Sequence, residues 1–272
     1  MRPNDFRAFC DLAYEQAGIK LGEEKLALVS ARVGKRLRAL NLATEAAYLE
    51  VLKADDGKEM IEFLDVISTN FTSFYREPAH FDRLKEDLGR LMDRGQTTFT
   101  VWCAAASSGE EPYTIALVLD ELFAGKRIEW RVLCTDISTK VLAMAKLGRY
   151  RGAQVKAVSR DALARHFVKV SDGTSADEAI YEVRRELKQH LTFARLNLAR
   201  PPFPMRGPFD AVLCRNVMIY FDAPIRQGVA TQMERLVRPG GLVFVGHAET
   251  LSGLNTALQV VAPSVYRRPG AA

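Results

Sequence analysis

Phe209-Asp-Ala-Val-Leu-Cys-Arg-Asn-Val-Met-Ile-Tyr-Phe-Asp222 decides how the rest of the chain is read. Behind Pro208, Ala211 to Cys214 is a short apolar run, the pattern of a strand covered on both faces in a parallel sheet. The run stops at Arg215 and Asn216, with Tyr220 just beyond. In an open α/β sheet the carboxyl ends of the strands border the ligand crevice. A guanidinium, an amide and a phenol at that edge can position anions and polar ligands; equally, polar residues at a strand end can do no more than cap the next helix.

Two earlier blocks share the frame. Phe99 to Cys103 reads as a strand, Ala104 to Gly109 as a small-residue turn, and Pro112 opens a helix carrying Ile115, Leu119 and Leu122. The turn, Ala104-Ala-Ala-Ser-Ser-Gly-Glu-Glu111, has one glycine and two carboxylates, so it fits neither GxGxxG nor a phosphate loop with its lysine. A carboxylate there repels phosphate and attracts an ammonium or ribose hydroxyl group. The next strand, Trp130 to Thr135, ends in Asp136, where the acidic residue of a βαβ nucleoside site accepts from ribose hydroxyls. Asp136 as a bare helix cap is the alternative, and it ranks below the ligand role because two successive strand ends form the site; Ser138 then caps a helix that stops at Gly148. Two acidic strand ends in succession suggest a nucleoside with a cationic amino-acid tail, the shape of S-adenosylmethionine.

Downstream of the opening stretch, Asp222 caps a helix with Ile225, Val229, Met233 and Leu236, closed by Arg238-Pro-Gly-Gly241. Leu242 to Gly246 is another buried strand with His247 and Glu249 at its end, and Val260 to Tyr266 reads as one final edge strand. Between the blocks, residues 165–193 alternate in short runs, 166–170 and 180–183, around the loop Ser171 to Glu178; this predicts a small antiparallel insertion. Leu191 to Phe193 resumes the main sheet, and Asn197 and Leu198 come at its end.

Ahead of the sheet the period is helical. Phe6, Phe9, Ala13 and Ala17 share one face, ended by Gly18. Leu26, Val29, Val33, Leu37 and Leu40 line a second helix, whose other side carries Lys25, Arg32, Lys35, Arg36 and Arg38 with no acidic residue between Lys25 and Arg38. Such a face is self-repelling, and an acidic partner would relieve it; a merely solvated face is the simpler reading of a charge run. Thr44 caps a third helix with Tyr48, Leu49 and Leu52, broken by Asp55-Asp56-Gly57, and a fourth turns Ile61, Leu64 and Ile67 inward. The polar-aromatic segment Ser68 to Arg76 follows, in which a bend can bring Asn70, Thr72 and Arg76 to one ligand. Pro78 then opens a fifth helix with Phe81, Leu84, Leu88 and Leu91. The expected division is an N-terminal helical domain and linker, residues 1–76, and a sheet domain, residues 77–272.

At 272 residues, 48% hydrophobic and 26% charged, the chain has the composition of a soluble globular protein with one sizeable domain and a smaller companion. A net charge of +5 favours an acidic partner without choosing among nucleic acid, membrane surface and protein. Cys10, Cys103, Cys134 and Cys214 form no CxxC pair and read as core residues in a reducing compartment, so no metal is expected. Met1-Arg-Pro-Asn4 leads into an amphipathic segment with no apolar signal core, and no run has the length of a membrane span, which predicts a cytoplasmic protein without membrane insertion.

Asn70-Phe-Thr-Ser-Phe-Tyr-Arg-Glu77, Ala104 to Tyr113, Asp136-Ile137, Phe209-Asp210 with Cys214 to Asp222, and Gly246-His-Ala-Glu249, in this order, resemble the CheR-type chemotaxis receptor glutamate O-methyltransferases. The likeness covers nearly the whole chain. It implies a Rossmann-like class I methyltransferase sheet with a small antiparallel β insertion behind an all-α N-terminal domain. It further implies S-adenosylmethionine-dependent esterification of glutamates on the cytoplasmic helices of chemoreceptors, with S-adenosylhomocysteine as product. By motif position, Asn70, Thr72, Arg76, Ala104, Glu110, Asp136, Asn197, Leu198, Arg215 and Asn216 would hold the donor, with Glu111 able to exchange roles with Glu110. Arg76 and Tyr220 would flank the reacting carboxylate. The basic second helix would dock on an acidic receptor bundle through Lys25, Arg32, Lys35, Arg36 and Arg38, the enzyme acting as a monomer with no nucleic acid bound. Some members tether to a receptor's C-terminal peptide through a loop of the β insertion; the loop Ser171 to Glu178 is longer and more acidic than such a hairpin needs.

The implied chemistry needs no general base, because a glutamate side chain is ionised at pH 7. Charge disappears as carboxylate and sulfonium react, so a dry site helps, and positioning in line can supply about 7–11 kcal/mol in favourable cases. Two other classes compete. A nucleic-acid methyltransferase would use the basic charge, and Arg200-Pro-Pro-Phe203 superficially resembles an amino-methylation motif, but its asparagine is missing. A non-catalytic docking protein on the same fold would be expected to lose Asp136 or Arg215, and both are present.

Overall fold

In the computed structural model, which describes residues 1–270 apart from 55, 56 and 69, the N-terminal unit is built from α1 (Pro3–Ala17), α2 (Leu26–Ala39), α3 (Glu45–Ala54) and α4 (Lys58–Ile67). Gly18, at φ 68°, ends α1 as its spacing predicts, and the Thr44 hydroxyl accepts from the Ala47 N–H at the head of α3. Asp55 and Asp56, expected to break α3, lie outside the described residues. The helices close on Phe9, Val29, Val33, Tyr48 and Phe63, all fully buried. Each such side chain contributes roughly 1.5–3 kcal/mol of transfer free energy. Phe63 takes the inward place expected of Ile61, which is only half-buried, because α4 turns its Phe63, Leu64 and Ile67 face to the core. On α2 the apolar stripe is narrower than its period suggests: Val29 and Val33 are buried while Leu26 and Leu40 are exposed.

After α5 (Ala79–Asp93), the chain builds β1 (Thr98–Cys103), α6 (Glu110–Phe123), β2 (Glu129–Asp136) and α7 (Thr139–Leu147). A small sheet follows from β3 (Arg149–Arg151), α8 (Arg160–His166), β4 (Phe167–Ser171), β5 (Ile180–Val183) and α9 (Arg185–Lys188). The main sheet resumes with β6 (Leu191–Arg195) and β7 (Phe209–Cys214), then α10 (Ala223–Leu236), β8 (Val237–Val245), β9 (Gln259–Ala262) and β10 (Val265–Arg267). The seven-stranded order is β6-β2-β1-β7-β8-β10-β9, parallel from β6 through β8 and antiparallel for the last two. The small sheet, β3-β5-β4, is antiparallel throughout. An all-α unit followed by this mostly parallel sheet is the predicted fold class. Among the described residues no helix is long and apolar enough to cross a membrane.

Period-two alternation divides the sheet's residues between two cores. Phe99, Val101 and Cys103 of β1 and Ala211 and Leu213 of β7 pack under α5 and α6, against Phe81, Leu84, Ile115 and Leu119. Trp102, Val212 and Cys214 face α10, against Val229, Met233 and Leu236. Every residue of β7 is buried, as the apolar run Ala211 to Cys214 predicts, and the one charged member, Asp210, accepts from Gln96 and the Thr100 N–H and pairs with Arg238.

Three boundaries differ from the sequence reading. Residues 260–266 form a hairpin, not one strand: Pro263 and Ser264, the latter at φ 57°, turn the chain so that β10 pairs with β8 and β9 becomes the edge. Strand β8 begins at Val237, directly after α10, and absorbs Arg238-Pro-Gly-Gly241 with a register shift against β7. Helix α6 starts at Glu110, two residues before Pro112, because Gly109 at φ 103° already serves as its N-cap.

Candidate active site

The chain runs from β1 outward to β2 and β6, then returns to the other side of β1 as β7. Connections therefore diverge between β1 and β7, and a crevice opens at the carboxyl ends of these strands. A cavity of about 200 Å³ occupies it. Its sheet-side lining comes from four strand ends: Ala104, Ala105 and Ser107 after β1, Asp136 and Ile137 at β2, Leu196 to Leu198 after β6, and Arg215 to Val217 after β7. The helical unit closes the other side with Ala17, Ile19, Lys20, Leu21, Lys25 and Leu28.

The linker supplies a third wall. Phe74 is buried edge-on to Tyr150 and Phe167, and Tyr75 donates its N–H to the Thr114 hydroxyl while its ring meets Phe81. These two anchors fix the bend, and Asn70, Thr72 and Arg76 line the cavity as their spacing suggests. Arg76 donates to the Phe71 carbonyl at 2.9 Å, and its guanidinium lies 5.5 Å from the Phe71 ring centroid. Left-handed backbone gathers here: Ser107 (φ 47°) and Asn216 (φ 57°) on the lining, Tyr75 (φ 53°) and Glu77 (φ 58°) on either side of Arg76. Non-glycine residues hold such angles only where surrounding contacts over-determine them.

Behind Arg76 lies a buried ion network. The Arg215 side chain is fully buried and donates to Glu111 at 2.6 Å, to Glu77 at 3.0 Å and to the Arg76 carbonyl, while its guanidinium sits 5.2 Å from the Phe81 ring centroid. Burial alone would lower its pKa, but Glu111 and Glu77 hold it above the ordinary arginine value. The two carboxylates respond oppositely. Burial pushes Glu111 up despite Arg215, whereas at Glu77 the burial is outweighed by hydrogen bonds from Arg215 and Asn216, leaving it below the usual range. Asn216 donates its side-chain N–H to Glu77 and its backbone N–H to Glu249, which also accepts from Gly246 and Ile219.

Asp136 accepts from the Ser107 N–H at 2.8 Å and the Ser138 N–H at 2.9 Å, one on each oxygen, so the carboxylate is held still. Burial keeps its pKa above the ordinary aspartate value, with the N–H groups of Ser138 and Ser107 pulling the other way. A carboxylate has about four acceptor positions, so Asp136 keeps acceptor capacity for a ligand beyond these N–H groups. Ser138, not Asp136, caps α7 through its hydroxyl.

Nine of the ten expected donor residues share the cavity; Glu110 does not, and Glu111 takes its place. Both carboxylates stand in the first turn of α6, where neighbours diverge by about 100°. Glu110 turns away to accept from Ser108 and Gln154, and Glu111 faces Arg215. Asn197 lines the cavity but spends its amide on the Gln16 carbonyl of α1 and the Ala199 N–H. Tyr220 also lines it, held by its own carbonyl accepting from the Lys20 N–H. Ile19, Lys20 and Leu21 carry no sequence signal beyond following the helix-ending Gly18.

The basic face of α2 divides. Lys25, Lys35 and Arg38 are exposed. Arg36 grips Glu59 of α4 through two hydrogen bonds, 2.8 and 2.6 Å, and Glu62 at 3.1 Å, while Tyr48 donates to the same Glu59. Arg32 donates to the Ile67 and Ser68 carbonyls at the end of α4. The one-signed run therefore meets acidic and carbonyl partners within the chain that residues 25–38 alone cannot reveal.

Comparison with known proteins covers both parts. The all-alpha domain of the CheR methyltransferases matches residues 4–68, and the SAM binding domain of the CheR methyltransferases matches residues 70–267. A chemotaxis protein methyltransferase of Salmonella typhimurium is 39% identical over 96% of this chain and 88% of its own length. One from Escherichia coli is 38% identical over 96% and 89%, and chemotaxis protein methyltransferase 2 of Pseudomonas aeruginosa is 35% identical over 96% and 92%. Among solved structures, the glycopeptide N-methyltransferase MtfA complexed with (S)-adenosyl-L-methionine overlays with a TM-score of 0.35, at 18% identity, over 58% of this chain and 48% of that one.

Proposed function

The chain belongs to the CheR methyltransferase family, and from that premise we propose that it transfers a methyl group from S-adenosylmethionine to glutamate side chains of chemoreceptors in the cytoplasm, acting as a monomer. The observation that carries this reading is the juxtaposition of Asp136, Glu111 and Arg76 on one cavity at the sheet's switch point. The lining suits a sulfonium nucleoside: Asp136 keeps acceptor positions for ribose hydroxyls, Glu111 offers a carboxylate to an ammonium, and Ile137, Leu196, Leu198 and Phe221 give apolar surface for a base. When bound, the donor supplies an electrophilic methyl group on a positively charged sulfur.

The residues of this chain bind and orient. Arg76, anchored on the Phe71 carbonyl, keeps N–H groups for the incoming carboxylate, and Tyr220 offers a phenol from the turn beside it. Neither has to move a proton, since the substrate arrives ionised. Lys20 and Lys25 bring positive charge to the wall formed by the helical unit, which favours an acidic approaching segment. Arg76→Ala is expected to lower kcat about 100-fold and Tyr220→Phe about 5-fold, with the affinity for S-adenosylhomocysteine nearly unchanged in both. Donor affinity falling in step with rate would remove both from the substrate side.

Docking on an acidic helical bundle is assigned to Lys25, Lys35 and Arg38, the exposed part of the α2 face. Reversing Lys35 and Arg38 to glutamate should raise KM for a receptor fragment about 10-fold at low salt and leave donor binding intact. Arg36→Glu should instead destabilise the helical unit, because Glu59 loses its partner; a pure KM effect there would overturn the division. A nucleic-acid substrate finds no support at Arg200-Pro-Pro-Phe203: Phe203 is buried edge-on to Trp102, and Arg200 is engaged with α1.

A further inference from the structure

His80 is a buried side chain whose two ring nitrogens have no hydrogen-bond partner among the described residues. Buried polar groups are almost always partnered, so each exception asks for an explanation. Around it the fold assembles a further set of donors, which shares Glu77 with the ion network behind Arg76. Glu77 and His80 lie at the head of α5, His247 follows β8, and one donor atom from each of the three falls within 4.8 Å of the others. The Glu77 oxygen Oε2 is 3.4 Å from His80 Nδ1 and 4.0 Å from His247 Nε2. Ligands at about 2.0–2.1 Å from a tetrahedral zinc ion stand about 3.3 Å apart; the Glu77–His80 spacing already fits, and the two spacings to His247, 4.0 Å from Glu77 and within 4.8 Å of His80, close by rotation of the exposed His247 ring.

We propose that Glu77, His80 and His247 form a divalent transition-metal site of the zinc class, joining the head of α5 to the end of β8. Two imidazoles and a carboxylate are the donor set such ions take, with a fourth position left to water. His247, 56% exposed, provides the entry side. Glu77 can serve without giving up its present bonds: Oε1 accepts from Asn216 and the His247 N–H, Oε2 accepts from Arg215, and one lone pair of Oε2 remains. Arg215 then becomes the outer partner that a ligating carboxylate commonly has. Its positive charge weakens the site, and the second carboxylate on the same guanidinium, Glu111, offsets that cost. Through Glu77 an ion here touches the same network that frames the donor cavity.

The full-length protein, stripped with chelator, would be titrated with Zn²⁺ against a chromophoric zinc indicator and, separately, with Co²⁺ while its visible d–d absorption is read. One ion per chain is expected, with affinity falling at least about 10-fold in His247→Ala and in Glu77→Gln, and the cobalt band lost in both. His247→Ala tests the site without disturbing the core, which His80→Ala would. Absence of saturable binding, or binding that His247→Ala leaves unchanged, overturns the proposal, and neither result bears on the methyltransferase reading.

Discussion

Arg215→Ala should be the most destabilising single change at the site, a loss of about 3–5 kcal/mol read from denaturant unfolding. The side chain is fully buried between Glu77 and Glu111, so alanine leaves two enclosed carboxylates with no counter-charge and abandons the Arg76 carbonyl. Solvent screening offers little relief at such depth, which separates this pair from the surface ion pairs of the same chain. Donor binding should fail with it, since Asn216 and Glu111 are placed by the same bonds. Adding Glu111→Gln to the variant should restore part of the stability by removing one unpaired charge. A loss under about 1 kcal/mol would mean that water or a counter-ion already shares the site, contrary to the enclosed network described above.

Asp136→Ala is expected to weaken S-adenosylhomocysteine binding about 10- to 150-fold by calorimetry, the equivalent of about 1.5–3 kcal/mol for hydrogen bonds to a charged acceptor. Two losses combine: the acceptor for the ribose, and the clamp on the Ser107 and Ser138 N–H groups that shapes the turn after β1 and the head of α7. Asp136→Asn keeps the shape and one carbonyl acceptor, so its loss should be the smaller. Global stability should move less than in Arg215→Ala, because the change strands no buried charge and the Ser107 N–H, on the cavity lining, can turn to water. Unchanged affinity in Asp136→Ala would displace the nucleoside from the end of β2.

What the sequence made legible was local. The short apolar run from Ala211 to Cys214, behind Pro208 and ahead of Arg215, has the pattern of a strand covered on both faces, and β7 is one. Ser138 and Gly148 mark the two ends of α7 because capping is decided within a turn of backbone. Asn70, Thr72 and Arg76 share the cavity as their spacing on a bent segment suggests, whereas the anchors that hold the bend, Phe74 and Tyr75, are apparent only from their partners elsewhere in the fold. What escaped depends on distant residues or on direction. Arg36 looked like a free cation until α4 brought Glu59 to it, and the wall from Ile19 to Leu21 exists only because α1 docks on Asn197 and Tyr220. Glu110 and Glu111 are adjacent in sequence but diverge once the helix begins at Glu110, a start that Pro112 concealed. Glu77 and His247 approach only across the sheet's edge, so no spacing along the chain announces their meeting with His80.

The reaction itself is tested by incubating the purified protein with methyl-labelled S-adenosylmethionine and, in parallel, an acidic helical chemoreceptor fragment or RNA, then treating each product with mild base. Label carried on the receptor fragment and released as methanol is the expected result, the mark of a glutamate methyl ester made at the cavity between β1 and β7. Base-stable label, or label on the RNA alone, would contradict it.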